Sequence, residues 1–170
     1  MLQISPEVQC CCRSITANKA LRQVTLVQEY IQHRFDDCFV QLFLPLLQTL
    51  ALPHPIATSQ LRHPDLKRLE DLTVLLVLLL NDVVSYAKER ATCANPSNIV
   101  YLLSTTQSLN EQEAHSLTVG YIDDYYEEFL ILTQRRTWSQ HAEAYIEALQ
   151  RFIFGFMDWS RSAYRYAGDF

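Results

Sequence analysis

Three oxygen-bearing side chains recur at every fourth residue in the stretch LLLNDVVSYAKER, which covers residues 78–90. They belong to Asn81, Ser85 and Glu89. On a helix each lies about 40° further round the axis than the one before, and Asn81 and Glu89 stand about 12 Å apart along it. An amide oxygen, a hydroxyl and a carboxylate are hard ligands of the kind that Mg²⁺ prefers. The spacing alone leaves two interpretations open, a magnesium site or the polar end of a buried helix.

The elements that must position these side chains have helical periodicity, which predicts an all-α fold. Only three glycines and six prolines interrupt the chain. We expect residues 1–17 to form an irregular lead-in, and residues 18–170 to form one helical domain. The predicted helices are 18–33, 38–52 as two pieces or one helix kinked at Pro45, 64–92, 98–106, a helix that ends near Thr133, and a last helix from near Ser139 through Tyr166. Ser108 and Glu111 have capping-box spacing before the fifth of these.

Composition restricts the partners of the protein. The net charge is −5 and no cluster of Lys and Arg offsets it, which argues against a nucleic-acid surface. The apolar run Leu72–Leu80 is shorter than the roughly 20 residues that span a bilayer, and the start MLQISPEVQCCC lacks a signal-peptide layout. The five cysteines, three of them adjacent, make a poor disulfide framework. These features favour a cytoplasmic protein with reduced thiols.

The residues of the first motif match a known pattern. NDVVSYAKE resembles, position for position, the NDxxSxxKE form of the second metal-binding motif of class I terpene synthases, particularly the bacterial type. The resemblance implies that Asn81, Ser85 and Glu89 together bind one Mg²⁺. It also implies that Lys88 contacts the diphosphate of the substrate.

A second motif of that family stands before the first one. Arg34, in HRFDDCF, resembles the diphosphate-sensing arginine of the family. Three residues later Asp37 resembles the linker residue, and Cys38 takes the effector position, where family members usually carry Gly. The effector acts through its backbone carbonyl, which Cys can also supply.

A third motif of that family lies near the C-terminus. In WSRSAYRYAGDF, Arg165 and Tyr166 resemble the Arg-Tyr pair on the last helix of the family, and Arg165 lies 84 residues after Asn81. Three motifs in the family order make residues 34–166 similar to the C-terminal portion of the class I terpene synthase α-helical barrel. An unrelated helical bundle would require all three matches to be accidental.

The resemblance implies a Mg²⁺-dependent terpene cyclase, a carbon–oxygen lyase of isoprenoid biosynthesis. Such an enzyme ionises a prenyl diphosphate, for example farnesyl or geranyl diphosphate, and cyclises the carbocation. Cations aimed at the departing diphosphate stabilise its developing charge. The residues implied to bind it are Arg34, Lys88, Arg165 and Tyr166, and the aromatic residues implied to line the pocket are Trp159, Phe43 and Phe156.

The aspartate-rich motif of the family, DDxx(D/E), has an apparent match at Asp123, Asp124 and Glu127. In the family this motif precedes the sensing arginine, whereas Asp123 follows Glu89, and acidic residues on a helix face are ordinarily solvated. We therefore expect a partial terpene synthase α-domain that is inactive or nearly so alone. The alternatives are a non-catalytic relic or a partner subunit of a split synthase, either as a homodimer or with a complementing N-terminal half.

Overall fold

The computed structural model describes residues 19–52, 56–135 and 137–163, and within these ranges every regular element is a helix. The predicted all-α fold is therefore confirmed. The predicted lead-in, residues 1–17, lies outside the described residues. The helices are α1 (Lys19–Asp36), α2 (Val40–Ala51), α3 (Thr58–Leu61), α4 (Pro64–Thr92), α5 (Ile99–Gln107), α6 (Glu111–Gln134) and α7 (Gln140–Ser162).

Helix α4 is the central element and packs against each of the other six helices. Every residue from Leu72 to Leu79 is buried, as expected of a helix that is apolar on all sides. The helix begins with Pro64 in its first turn, where the missing N–H costs nothing, and the His63 side chain accepts a hydrogen bond from the Asp65 N–H at 3.2 Å. Its observed bounds match the predicted 64–92.

Two apolar cores lie on opposite parts of α4. The first core joins α2, α6 and α7 to α4 and includes Leu69, Phe129 and Tyr145. The second joins α1, α5 and the first turns of α6 to the later turns of α4 and includes Leu79 and Ile99. Consequently, the half of α4 that carries the candidate ligands is held by α1, α5 and the beginning of α6.

Three predicted helix features differ in the structure. The capping box predicted at Ser108 and Glu111 is wrong, because Ser108 has φ 58° and ends α5 in the left-handed conformation. The box forms instead between Asn110 and Glu113, with bonds of 2.8 and 2.9 Å. The last helix ends at Ser162 rather than Tyr166, since Ala163 is extended.

The third difference concerns α2, which continues through Pro45 as one helix, so the alternative of two separate pieces is wrong. Pro45 is the sixth of the 12 residues and removes one backbone donor in the middle of the helix, and packing of α2 against α4 and α7 maintains the rest. Among the described residues, no helix combines the length and apolar character that a membrane span requires.

Candidate functional site

The three candidate ligands follow one another on the later turns of α4. Asn81 and Glu89 are partly exposed, whereas Ser85 is 2% exposed. The Ser85 Oγ is buried and has no hydrogen-bond partner among the described residues. Buried hydroxyls are nearly always hydrogen-bonded, so an unpartnered one between an amide and a carboxylate fits a cation-binding position. The donor set and this orphaned oxygen therefore both fit Mg²⁺.

The Glu89 carboxylate is held by a residue outside the motif. Asn98 donates from Nδ2 to Glu89 Oε2 at 3.1 Å, and the same nitrogen donates to the Asp82 carbonyl at 2.7 Å. Asn98 stands in the turn between α4 and α5 and is 1% exposed. Lys88, next to Glu89, is exposed.

Arg34 reaches α4 from α1 and forms an ion pair with Asp82. Its Nη2 donates to Asp82 Oδ1 at 2.9 Å, and Asp82 is 0% exposed. The other oxygen, Oδ2, accepts hydrogen bonds from the Tyr30 hydroxyl and from the Ile99 N–H, the latter at 3.0 Å. One carboxylate thus connects α1, α4 and the first turn of α5.

Burial and the neighbouring charge have opposite effects on the pKa of each partner in this ion pair. Burial raises the pKa of Asp82, and the Arg34 guanidinium and the two neutral donors oppose that rise. Burial would lower the pKa of Arg34, but the Asp82 carboxylate and the Tyr30 hydroxyl raise it above its ordinary value. Arg34 therefore remains charged beside the candidate ligands.

The Arg34 guanidinium also has an unused donor. Its Nε is buried and has no hydrogen-bond partner among the described residues. A buried N–H of a cation without an acceptor is costly, which makes this atom suited to an anionic oxygen.

The predicted linker and effector residues occupy the break between α1 and α2. Asp37 is exposed and Cys38 is half-buried, with the Cys38 Sγ accepting a hydrogen bond from the Val40 N–H at 3.4 Å. Burial raises the pKa of the Cys38 thiol, so the thiol stays protonated. Arg34 lies in the last turn of α1, so the three predicted positions follow one another from the end of α1 into this break.

The predicted pocket aromatics lie on the side of the molecule formed by α2 and α7. The ring centroids of Phe43 and Phe152 are 5.9 Å apart, and those of Phe156 and Trp159 are 5.8 Å apart. Phe43 and Trp159 are each about half exposed. These rings form two pairs in the part of the molecule that holds the first core.

Helix α2 also presents an apolar stripe to solvent. Its members recur at helical spacing on one face, and their side chains are between 47% and 84% exposed. We call this surface the α2 stripe. It consists of Phe39, Leu42, Phe43, Leu46 and Leu50.

A cleft of about 450 Å³ lies between α1, α2 and α4. Phe35, Leu44 and Val74 contribute its apolar surface, and polar side chains including Lys67 and Glu70 contribute the rest. Val74 lies on the same face of α4 as Ser85, about three turns earlier. The cleft therefore opens on the helix face that carries the candidate ligands.

The remaining candidate residues lie either outside the described residues or on an exposed helix face. Arg165 and Tyr166 lie outside the described residues. Asp123, Asp124 and Glu127 are all exposed on α6, as expected of a solvated helix face. The roles of every candidate residue, as ligand, diphosphate contact or pocket wall, stay predictions.

Sequence reasoning missed three residues of the site: Tyr30, Asp82 and Asn98. Asp82 had a visible signal, because a charged residue stands beside Asn81 directly after the apolar run Leu72–Leu80. Tyr30 had no comparable signal. Asn98 carries the signature of a helix N-cap, and its contact with Glu89 depends on the turn folding back onto α4.

Comparison with known proteins gives a consistent result. The family profile described as "Terpene synthase family 2, C-terminal metal binding" matches residues 9–128. The sesquiterpene synthase Agr8 of Cyclocybe aegerita is 28% identical over 158 residues, which cover 89% of this chain and 44% of Agr8. A (+)-T-muurolol synthase of Streptomyces clavuligerus is 26% identical over 148 residues, which cover 84% of this chain and 34% of that protein. The chain spans less than half the length of these relatives.

A solved structure shows the same fold. The 2-methylisoborneol synthase from Streptomyces coelicolor A3(2), crystallised in complex with Mg²⁺ and 2-fluoroneryl diphosphate, matches with a TM-score of 0.70. The match covers 85% of this chain and 45% of that chain at 20% sequence identity. The predicted fold, the C-terminal portion of the terpene synthase helical domain, is confirmed.

Proposed function

The chain belongs to the terpene synthase family, and from this premise we propose that it supplies the Mg²⁺-binding and diphosphate-binding wall of a terpene cyclase. The substrate would be a prenyl diphosphate such as farnesyl or geranyl diphosphate, and the reaction its ionisation followed by cyclisation. One observation carries the proposal. The buried, unpartnered Ser85 Oγ lies between Asn81 and Glu89 on α4, with the charged Arg34 paired to the next residue, Asp82.

Each part of the chain has a role in this proposal. Asn81, Ser85 and Glu89 would hold one Mg²⁺, which supplies Lewis acidity toward the departing diphosphate. Arg34 would donate from its unpartnered Nε to a diphosphate oxygen, while Asp82 holds the other end of the guanidinium in place. Lys88, Arg165 and Tyr166 are further diphosphate contacts in the proposal.

The carbocation that remains needs a dry wall with aromatic faces. Trp159, Phe43 and Phe156 are the proposed wall. Two of these three rings are about half exposed, so additional helices would have to cover them before water is excluded. We therefore expect this polypeptide alone to be inactive or nearly so.

The first experiment measures binding of inorganic diphosphate by titration calorimetry, with and without Mg²⁺. Wild-type protein should bind diphosphate only when Mg²⁺ is present, and Asn81→Ala and Ser85→Ala should weaken that binding. Asp124→Ala is the matched control, because Asp124 is an exposed acidic residue on α6. Binding that is independent of Mg²⁺, or unchanged in both ligand variants, would count against the proposed site.

A second experiment tests activity. The chain is incubated with geranyl, farnesyl and geranylgeranyl diphosphates plus Mg²⁺, and the products are separated by gas chromatography. We expect no cyclised terpene above background. Cyclised products that disappear in Asn81→Ala would overturn the expected inactivity while supporting the site.

The α2 stripe favours a second candidate function, that of one subunit in a split synthase. Apolar side chains that recur on one exposed helix face are typical of a surface that packs against a partner. The matched regions cover 44% and 34% of two relatives, which are therefore more than twice as long as this chain. We propose that the stripe packs against a complementing N-terminal half that carries DDxx(D/E), rather than remaining exposed in a non-catalytic relic.

Light scattering after size exclusion tests this second candidate. The chain is mixed with the half of Agr8 that precedes the matched region, and a one-to-one complex is expected for wild-type protein but not for Leu46→Asp. A homodimer that Leu46→Asp dissociates would replace the complementing half with a second copy. Monomeric wild-type protein in every mixture would contradict a partner role. A cytoplasmic location stays a prediction.

A further inference from the structure

The Asn98 side chain makes three hydrogen bonds, whereas a helix N-cap needs only one. Its Oδ1 accepts a hydrogen bond from the Val100 N–H at 3.0 Å, which caps the start of α5. Its Nδ2 donates in the opposite direction, to the Asp82 carbonyl and to Glu89 Oε2. The Asn98 side chain is buried; its bonds to Val100 and to the Asp82 carbonyl are buried, and its bond to Glu89 is partly buried.

The cap at the start of α5 does not by itself require an amide side chain at position 98. Ser, Thr and Asp cap helices as well as Asn does, because a cap needs only an oxygen acceptor. An amide is the side chain that offers an acceptor on one side and two N–H donors on the other. The structure uses both sides of Asn98, and the donor side faces α4.

The Asn98 N–H stabilises the negative charge of the Glu89 carboxylate. Glu89 lies in the last turns of α4, where the helix dipole is unfavourable to a negative charge. The Asn98 N–H offsets that effect and restrains one carboxylate oxygen, Oε2, at 3.1 Å. In the proposed site the other oxygen, Oε1, would bind the cation.

Asn98 also connects the two ends of the candidate ligand set. Its bond to the Asp82 carbonyl fixes the backbone directly after Asn81, and its bond to Glu89 fixes the side chain two turns later. A rearrangement of the turn at residues 93–98 would therefore move Glu89 relative to Asn81.

We propose that Asn98 is a positioning residue that orients Glu89 for cation binding. The inference rests on the proposed function, since it takes Glu89 as a ligand of Mg²⁺. Groups that hydrogen-bond metal ligands fix their orientation, and their loss typically weakens metal binding about tenfold or more. Asn98 has this relation to Glu89 although it lies outside the recognised motif.

The test uses Mn²⁺ as the probe and electron paramagnetic resonance to measure the unbound ion. Asn98→Ser keeps an oxygen for the α5 cap but is too short to reach Glu89. Asn110→Ser is the matched control, because Asn110 caps α6 through the same kind of bond. We expect Asn98→Ser to weaken Mn²⁺ binding about tenfold, and Asn110→Ser to change it less than about twofold.

Two results would overturn the inference, and they are distinguishable. If Asn98→Ser binds Mn²⁺ like wild-type protein while Asn81→Ala and Glu89→Gln bind it weakly, the site exists and Asn98 does not position it. If wild-type protein binds no Mn²⁺, or if Asn81→Ala has no effect, the proposed metal site fails and the inference fails with it.

A measurement on wild-type protein decides the question if Asn98→Ser does not fold. The side-chain NH₂ resonances of Asn98 and Asn110 are assigned by through-bond NMR, and Mg²⁺ is then added. The Asn98 resonances should shift more than those of Asn110, because a cation on Glu89 changes the acceptor of the Asn98 N–H. Equal shifts, or none, would show that Asn98 does not contact a metal-binding carboxylate.

Discussion

Replacement of Asp82 by alanine should destabilise the protein more than any other single loss of charge in the described site. The Asp82 carboxylate is fully buried and accepts from three donors: the Arg34 guanidinium, the Tyr30 hydroxyl and the Ile99 N–H. Asp82→Ala leaves all three without this acceptor. It also leaves Arg34, whose side chain is only 25% exposed, without its counter-charge.

The expected loss in the free energy of unfolding follows from the hydrogen bond that each donor loses. A buried donor that loses its acceptor costs about 1–3 kcal/mol. Tyr30 keeps a weaker contact with the Ser97 carbonyl at 3.3 Å, and water can reach part of Arg34, so the three costs do not add in full. Breaking a buried ion pair by removal of one partner costs about 3–5 kcal/mol, and we expect Asp82→Ala to fall in that range.

Urea unfolding followed by circular dichroism measures the change in the free energy of unfolding. Asp36→Ala is the matched control, since the Asp36 carboxylate on α1 is exposed and accepts one bond from Gln32; it should cost no more than about 0.5 kcal/mol. Total stability of such a domain is about 5–15 kcal/mol, so the loss should be measurable. A loss below about 1 kcal/mol for Asp82→Ala would refute the reasoning.

Two further predictions concern the assigned burial and a surface ion pair. Leu69→Ala, in the buried part of α4, should cost about 2–5 kcal/mol in urea unfolding, whereas Leu50→Ala on the exposed α2 stripe should cost less than about 0.5 kcal/mol; equal costs would contradict the assigned burial. The Arg68 guanidinium lowers the pKa of Glu128, so the stability from this pair is present above the ordinary carboxyl pKa of 4.5 and lost as pH falls through the lower folded value. Because both side chains are more than a third exposed, Glu128→Gln should cost less than about 1 kcal/mol near neutral pH, and the difference from wild type should shrink as the pH falls below 4.5; a difference that grows on acidification would contradict the assignment.

The main helices could be predicted because local signals and burial agree along them. Pro64 marks the start of α4, and the run Leu72–Leu80 requires a buried helix whatever its neighbours are. The start of α6 could not be decided in this way, since SLNEQE contains two overlapping capping boxes. Ser108 and Asn110 offer the same local chemistry, and the choice depends on where α5 ends.

The candidate ligands could be read from the sequence because they lie on a single helix. Their supports could not, since the Arg34–Asp82 pair joins residues 48 positions apart and depends on how α1 crosses α4. The same limit applies to Tyr30, which reaches Asp82 from α1. Helix periodicity gives the face of each residue but not the partner that the face meets.

The motif NDxxSxxKE therefore has two sides with different tasks. Asp82 lies about 100° round α4 from Asn81, where it meets α1 and α5, so the second residue of the motif anchors the helix rather than extending the ligand set. The same bond leaves Arg34 charged with its Nε unpartnered. An Arg34→Ala variant would consequently lose a proposed diphosphate contact and a structural ion pair together. Comparison with Asp82→Asn separates the two losses, because that variant keeps the guanidinium but removes its counter-charge. If diphosphate binding falls in Arg34→Ala and not in Asp82→Asn, Arg34 contacts the anion directly.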